Sequence, residues 1–230
     1  MIVDCISDMH GEFPELEGGN LLLIAGDCTS NDKVKAWGNF FDWLDKQEYD
    51  RKIMIAGNHD NFCEQWIKSN DSIYDELVGR PTVTYLCDSG TEYEFKGNKY
   101  KIWGSPWTAQ FKGINPHCCA FTIPFDDNTE RRLSEEWDMI PDDTDILITH
   151  CPPYDMFDLT FRGQKVGSPS LLARTLDVAP LLHLFGHIHE QGGKKFTFER
   201  SEDKNDTIFV NASIVNEEYD PVNKPVRIIL

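Results

Sequence analysis

A chain of 230 residues with 40% apolar side chains is long enough to enclose a sizeable core. Its formal net charge of −17 repels nucleic-acid backbones and anionic membranes, so neither extended nucleic acid nor a membrane surface is an expected partner. The seven cysteines are odd in number and form no C-x-x-C pair, and the N-terminus does not read as a signal peptide, so a reducing, cytoplasmic setting is expected.

Ile2-Val3-Asp4-Cys5-Ile6 reads as a first strand, ending in Ser7-Asp8-Met9-His10-Gly11. Asp8 and His10 are two residues apart and point to one side if the chain stays extended. Residues 21–25 form a second apolar strand, closed by Gly26-Asp27. Asn31 or Asp32 then caps a helix with Val34, Trp37, Phe41 and Leu44 on one face. A third strand over 52–56 runs into Gly57-Asn58-His59-Asp60, and Cys63, Trp66 and Ile67 mark a short helix.

Short strands at 82–86, 93–95 and 100–103 read as a β-meander. An aromatic-rich loop opens at Trp103-Gly104-Ser105-Pro106-Trp107 and lasts to about residue 127. The stretch 128–139 reads as a helix with Leu133 and Trp137 inward. The strand 146–148 ends in Thr149-His150, and Cys151-Pro152-Pro153 turns the chain away. A second long loop, 154–167, carries Asp155, Asp158, Arg162 and Lys165. Ser168-Pro169 opens a helix in the cap and first-turn positions. The apolar run 181–185 then stops at Gly186-His187-Ile188-His189, and strands at 196–199, 208–212 and 226–230 close the chain. No internal repeat or linker divides it, so one domain over 1–230 is expected.

Five of the seven histidines fall in polar tips that follow apolar strands; His117 and His183 are left as structural or surface residues. Ordered along the chain the tips are D-x-H, G-D, G-N-H-D, H and G-H-x-H. α/β sheets bind ligands at the carboxyl ends of their strands. Mixed imidazole, carboxylate and amide donors suit Mn, Fe, Zn or Co better than an all-oxygen Mg or Ca cage.

With these motifs the sequence resembles the calcineurin-like metallophosphoesterase superfamily over essentially its whole length. It is most similar to the metallophosphoesterase-domain branch known from animals and to cyclic-nucleotide phosphodiesterases. That similarity rests on Trp103-Gly104-Ser105-Pro106-Trp107, Asp145-Ile146-Leu147-Ile148-Thr149-His150 with Pro152-Pro153, Phe185-Gly186-His187-Ile188-His189-Glu190, Val210-Asn211-Ala212-Ser213 and Pro221-Val222-Asn223. Two positions depart from the branch. Cys151 stands where a glycine is usual, and G-N-H-D, the form of many bacterial cyclic-nucleotide phosphodiesterases, replaces G-N-H-E.

The resemblance implies an α/β fold of two packed mixed β-sheets flanked by helices. It implies two divalent transition metal ions, manganese favoured, one held by Asp8, His10, Asp27 and His189. The other is held by Asp27, Asn58, His150 and His187, with Asp27 shared. His59 becomes the catalytic histidine beside the leaving group, oriented by Asp60. Two such ions, about 3.5–4 Å apart, lower the pKa of a shared water and clamp an in-line displacement.

The implied activity is hydrolysis of phosphodiesters, cyclic nucleotides foremost, since no Arg accompanies the G-N-H-D tip as in the protein phosphatases of the superfamily. A phosphomonoesterase and a small nuclease are the alternatives, and a non-catalytic metal-binding scaffold is a third. Cysteine-based phosphatase chemistry is excluded, because no cysteine has an Arg six positions on, and neither a P-loop nor G-x-S-x-G occurs.

Overall fold

The computed structural model describes residues 1–69, 80–111, 118–200 and 205–230. In chain order these hold β1 (Ile2–Ile6), β2 (Gly19–Ala25), α1 (Val34–Asp45), β3 (Tyr49–Ile55), α2 (Asn61–Lys68) and β4 (Val83–Tyr85). Next come β5 (Ser89–Phe95), β6 (Asn98–Ser105), β7 (Thr108–Ala109), β8 (Thr122–Ile123), α3 (Thr129–Trp137) and β9 (Ile146–Thr149). The rest are α4 (Pro169–Val178), β10 (Leu182–Phe185), β11 (Lys194–Phe198), β12 (Thr207–Asn211) and β13 (Val226–Ile229).

Two large mixed sheets result, as expected. One has the order β13-β1-β2-β3-β4, parallel except for β13. The other has the order β11-β12-β10-β9-β6-β5, parallel in its centre with antiparallel edges. Side chains alternate across each strand, so Val3, Leu21, Leu23 and Ile53 of one sheet meet Ile146, Ile148, Leu184 and Val210 of the other in a dry layer. The opposite faces, Ile6, Leu22, Ile24 and Met54, lie under α1 with Trp37, Phe40, Phe41 and Leu44. Leu147 packs on the far side with Leu133, Trp137 and Leu171 of α3 and α4. Central strands covered on both faces read as unbroken apolar runs, which is why they are recognisable in the sequence.

Three local expectations need correction. The strands at 82–103 are not one meander: β4 lies parallel to β3 in the first sheet, while β5 and β6 form a hairpin in the second. The chain changes sheet between Leu86 and Asp88, where Asp88 takes hydrogen bonds from Ser105 Oγ (2.7 Å) and Trp107 Nε1 (2.8 Å). Second, α1 begins after Lys33 without a side-chain cap, and Val34 is exposed. Asp32 instead accepts from Trp37 Nε1 (2.8 Å) and Phe62 N (3.0 Å), tying α1 to α2. Third, the 104–127 loop contains the paired strands β7 and β8. Ser168 does cap α4, accepting from Leu171 N. His117 lies outside the described residues, and among those residues no helix is long and apolar enough to cross a membrane.

His183 is wholly buried on β10, within 2.9 Å of Thr149 Oγ1 and 3.1 Å of Thr175 Oγ1. Burial lowers its pKa from 6.5 to about 3, so the ring is a neutral bridge between β9 and α4. The unfolded chain then binds a proton that the folded one refuses, and stability falls as pH drops from 6.5 toward 3. At pH 4.5 this residue alone should have cost roughly 3 kcal/mol relative to pH 7. Urea unfolding of metal-stripped protein at both pH values should show that loss, and His183→Gln should remove most of its own share.

Candidate metal centre

Every motif residue lies just beyond the carboxyl end of a parallel strand: Asp8 and His10 after β1, Asp27 after β2, Asn58 and His59 after β3, His150 after β9, His187 and His189 after β10. The two sheets are stitched together at this end. Ser7 N donates to Ala212 O (2.9 Å), Ile214 N to Ser7 O (2.9 Å) and His187 N to Asp8 Oδ2 (2.9 Å). Asp8, His10, Asp27 and His187 all have positive φ, between 46° and 70°. Asp and His enter this region more readily than most residues, yet each instance costs about 1–3 kcal/mol.

One group of donors forms around Asp8. Ligand atoms of Asp8, His10, Asp27 and His189 lie within 4.8 Å of one another and can hold a metal ion. His189 Nε2 is 3.3 Å from both Asp8 Oδ1 and His10 Nε2. The second group lies across Asp27. Asp27 Oδ2 is 3.5 Å from His150 Nε2, 3.7 Å from His10 Nε2 and 4.0 Å from His59 Nε2. Asn58 Oδ1 is 3.0 Å from His150 Nε2, and the ring of His187 packs edge-on to His150 at 4.9 Å.

The donor chemistry fits divalent ions. Asp8 Oδ1 is buried with no well-formed hydrogen bond, facing His189 Nε2 at 3.3 Å, and a buried carboxylate oxygen in that state is costly unless a cation meets it. The outer nitrogens of two rings point at carbonyls, His150 Nδ1 at Ala25 O (2.8 Å) and His189 Nδ1 at Asn216 O (3.2 Å). That turns the Nε2 lone pairs inward, as metal-binding imidazoles require. Burial, opposed by Asp27, lowers His10 to about 4; burial, aided by His150, lowers His187 to about 3. Both rings are therefore neutral and available as ligands. Two glycines make room. A Cβ on Gly57 would stand 2.2 Å from Asp27 Oδ1, and one on Gly186 would stand 2.1 Å from Asp8 Oδ2 and Ser7 Oγ.

The expected partnership of Asp60 with the His59 ring takes another form. Its buried carboxylate accepts from Asp27 N (2.8 Å), Gly57 N (2.8 Å) and Cys28 N (3.1 Å), bracing the two strand tips that carry Asp27 and Asn58. At the His59 ring, Nδ1 faces Cys118 Sγ at 3.1 Å, a contact that the sequence did not disclose. His59 N donates to Asp27 Oδ1 (2.9 Å). Cys28, Cys63 and Cys151 are buried, and burial pushes the Cys151 thiol up to about 12, so it is no nucleophile.

A cavity of about 250 Å3 opens on the centre, with Phe111, Phe161, Arg162 and Tyr219 among its walls. Phe111 stacks on His187 (5.0 Å, 10°), and Tyr219 lies edge-on to His10 at 4.8 Å. The 154–167 loop is anchored here by Phe161 N, which donates to Glu190 Oε1 (2.8 Å). Arg162 reaches this wall, whereas Lys165 pairs with Asp155. Tyr219 has no signal in the sequence beyond the short polar stretch Asn216-Glu217-Glu218 that leads to it before Pro221. The quoted Asn211–Ser213 motif braces Asp8, since Ser213 Oγ donates to Asp8 Oδ2 (2.7 Å) and Asn211 Oδ1 accepts from Ser213 N (3.1 Å).

The two packed mixed sheets set a carboxylate among imidazoles at their strand ends, an arrangement suited to holding divalent metal ions. The chain belongs to the calcineurin-like phosphoesterase family, whose model matches residues 1–191. It is 33% identical over 244 residues to metallophosphoesterase domain-containing protein 1 of Homo sapiens, covering 98% of this chain and 70% of that one. A UPF0046 protein of Caenorhabditis elegans is 29% identical over 237 residues, covering 97% of this chain and 73% of the relative. Among solved structures, phosphopantetheinyl hydrolase of Mycobacterium tuberculosis shares the fold, with a TM-score of 0.60 at 15% identity over 99% of this chain and 95% of that one. Family membership supports a metal-dependent phosphoric ester hydrolase with a dinuclear centre.

Gly186→Ala should lower the melting temperature by several degrees and reduce bound metal, because Asp8 must move to admit the methyl group. Gly38→Ala, with nothing within 4 Å of the added Cβ in α1, should leave metal content alone and gain up to about 1 kcal/mol. Thermal unfolding and elemental analysis of the two variants test the pair.

Proposed function

We propose that the chain is a dimetal phosphodiesterase for small esters bearing a nucleoside base, cyclic nucleotides among them. The Asp27 carboxylate carries this reading, because one oxygen lies within 4.0 Å of three imidazoles drawn from β1, β3 and β9. In this reading Asp8, His10, Asp27 and His189 hold one ion, and Asp27, Asn58, His150 and His187 hold the other. Manganese is the metal proposed, as the resemblance implies, and iron, zinc and cobalt also suit such a mixed donor set. When bound, two divalent ions polarise phosphoryl oxygens and lower the pKa of water.

The residues of the chain supply the rest. His59 turns Nε2 toward the shared carboxylate and hands a proton to the departing alkoxide oxygen, a contribution of about 10²–10⁴-fold. Its backbone N–H, held by Asp27 Oδ1, keeps the ring next to the reacting phosphorus. Asp60 fixes both strand tips through three amides. The apolar faces of Phe111 and Phe161 offer a surface for a base.

The diester is favoured over the monoester by charge. Among the described residues lining the cavity Arg162 is the one fixed cation, and its guanidinium lies over the Phe161 ring at 5.2 Å. A monoanionic diester needs less countercharge than a dianionic monoester. Arg162 is also the observation that supports phosphomonoester hydrolysis as the second reading. None of the seven cysteines is in a disulfide, which supports a reducing, cytoplasmic setting, and residues 1–230 are read as one catalytic unit.

Manganese-reloaded protein should hydrolyse bis(p-nitrophenyl) phosphate faster than p-nitrophenyl phosphate. His59→Ala should lose about 10²-fold or more on esters with poor alkoxide leaving groups, and less on p-nitrophenyl esters, whose leaving group needs little acid help. A preference for the monoester would favour the second reading.

A further inference from the structure

Two clefts, not one, meet at the imidazole cluster. The first is the aromatic cavity beside Asn58 and His187. The second, about 650 Å3, opens beside His10 and is lined by Glu12, Thr29, Ser30 and Asn31. His59, Cys118 and Tyr219 line both, so they form the ridge between them.

Tyr219 is built into that ridge at a backbone cost. Its φ is 67°, a strained conformation for an aromatic residue. Asn216 holds it there: its carbonyl accepts from Tyr219 N (2.9 Å), and its Oδ1 accepts from Glu218 N (3.0 Å) and Asp220 N (2.8 Å). The same carbonyl lies 3.2 Å from His189 Nδ1, so ridge and donor set share one anchor. The Tyr219 ring is 4.8 Å from His10, 5.4 Å from His189 and 6.4 Å from His59, and 46% of the residue is exposed. A phosphoryl group at the cluster therefore has the tyrosine beside it and an opening on each side.

The clefts differ in chemistry. The first offers Phe111 and Phe161. The second offers hydroxyl, amide and carboxylate groups, with no Lys or Arg among its described lining residues. Asp32 on its wall is already engaged by Trp37 and Phe62, which leaves Glu12 as its exposed charge. Such a surface accepts a neutral or cationic alcohol and repels a further phosphate.

We propose that the two clefts take the two arms of one acyclic phosphodiester. A base-bearing arm lies against Phe111 and Phe161, and a small hydroxylated or amine-bearing arm lies against Glu12, Ser30 and Asn31. The assignment rests on the phosphodiesterase reading above. The two ester arms of an acyclic diester leave phosphorus in different directions and need two exits. A monoester has one arm, and a cyclic nucleotide carries both ester oxygens on one ribose, so each fills a single cleft. A continuing nucleic-acid strand would bring its next phosphate against Glu12.

The test compares adenosine 5′-(glyceryl phosphate) with 2′,3′-cyclic AMP, reading AMP release by chromatography from manganese-loaded protein. Ser30→Trp and Asn31→Trp each fill the polar cleft from an exposed rim position. In either variant, at wild-type metal content, the ratio of kcat/KM for the acyclic over the cyclic ester should fall by about tenfold or more. Phe161→Ala should lower kcat/KM for both substrates. An unchanged ratio in both tryptophan variants overturns the assignment. So does a wild type that cleaves the cyclic ester and ignores the glyceryl ester, while the diesterase reading survives. A metal-loaded wild type that hydrolyses neither removes the diesterase reading and the assignment with it.

Discussion

The hydrogen bonds that cross between the sheets at Ser7 and Asp8 are the constraint on which the centre depends. Between the sheets the contact is otherwise mainly apolar side chains, which slide and repack with little directional preference, with edge contacts such as Tyr93 Oη donating to Asp50 Oδ2 (3.0 Å). At this end Ser7 exchanges backbone hydrogen bonds with Ala212 and Ile214, and Asp8 accepts from His187 N and Ser213 Oγ. These contacts set the separation and the register of the two half-sites. Without them, His187 and His189 would belong to one layer and Asp8 and His10 to another. Gly186 follows from the same closeness, since any side chain there would occupy the space of the Asp8 carboxylate.

Much of this arrangement is legible in the chain because buried parallel strands are near-continuous apolar runs, and each site residue follows one of them. Leu21 to Ala25 before Asp27 and Leu182 to Phe185 before His187 are examples. Short-range signals fail where the partner is chosen in three dimensions. Val83–Tyr85 looks like the opening of a meander, but joining β3 buries Val83 under α1, a gain that local pattern does not reveal. Asp60 adjoins His59 in sequence, yet three unpaired amides at the strand tips compete for its carboxylate and hold it. Tyr219 is invisible for the same reason: its direction comes from the Asn216 turn, and Asn, Tyr and Asp in a loop say nothing about where a ring will point.

The acidity of the chain also acquires a role when set beside the site. With a net charge of −17, most of the surface repels phosphate, and the sparse cations near the cleft do little to offset it. Bound ions then become the main positive charge an ester meets, so phosphate affinity is tied to metal loading. Coupling of this kind disfavours unproductive capture of phosphate by metal-free protein. It also makes binding as well as turnover sensitive to chelators.

The left-handed backbone at Asp8, His10, Asp27 and His187 shapes how such a sequence can drift. Replacement by asparagine or glycine weakens or removes the donor group but keeps a residue that tolerates positive φ. Replacement by a β-branched residue discards both. A lineage released from selection for catalysis would therefore lose these donor groups first to asparagine and glycine, preserving the fold. Its descendants would keep the outline of the centre in their backbone long after the chemistry had gone.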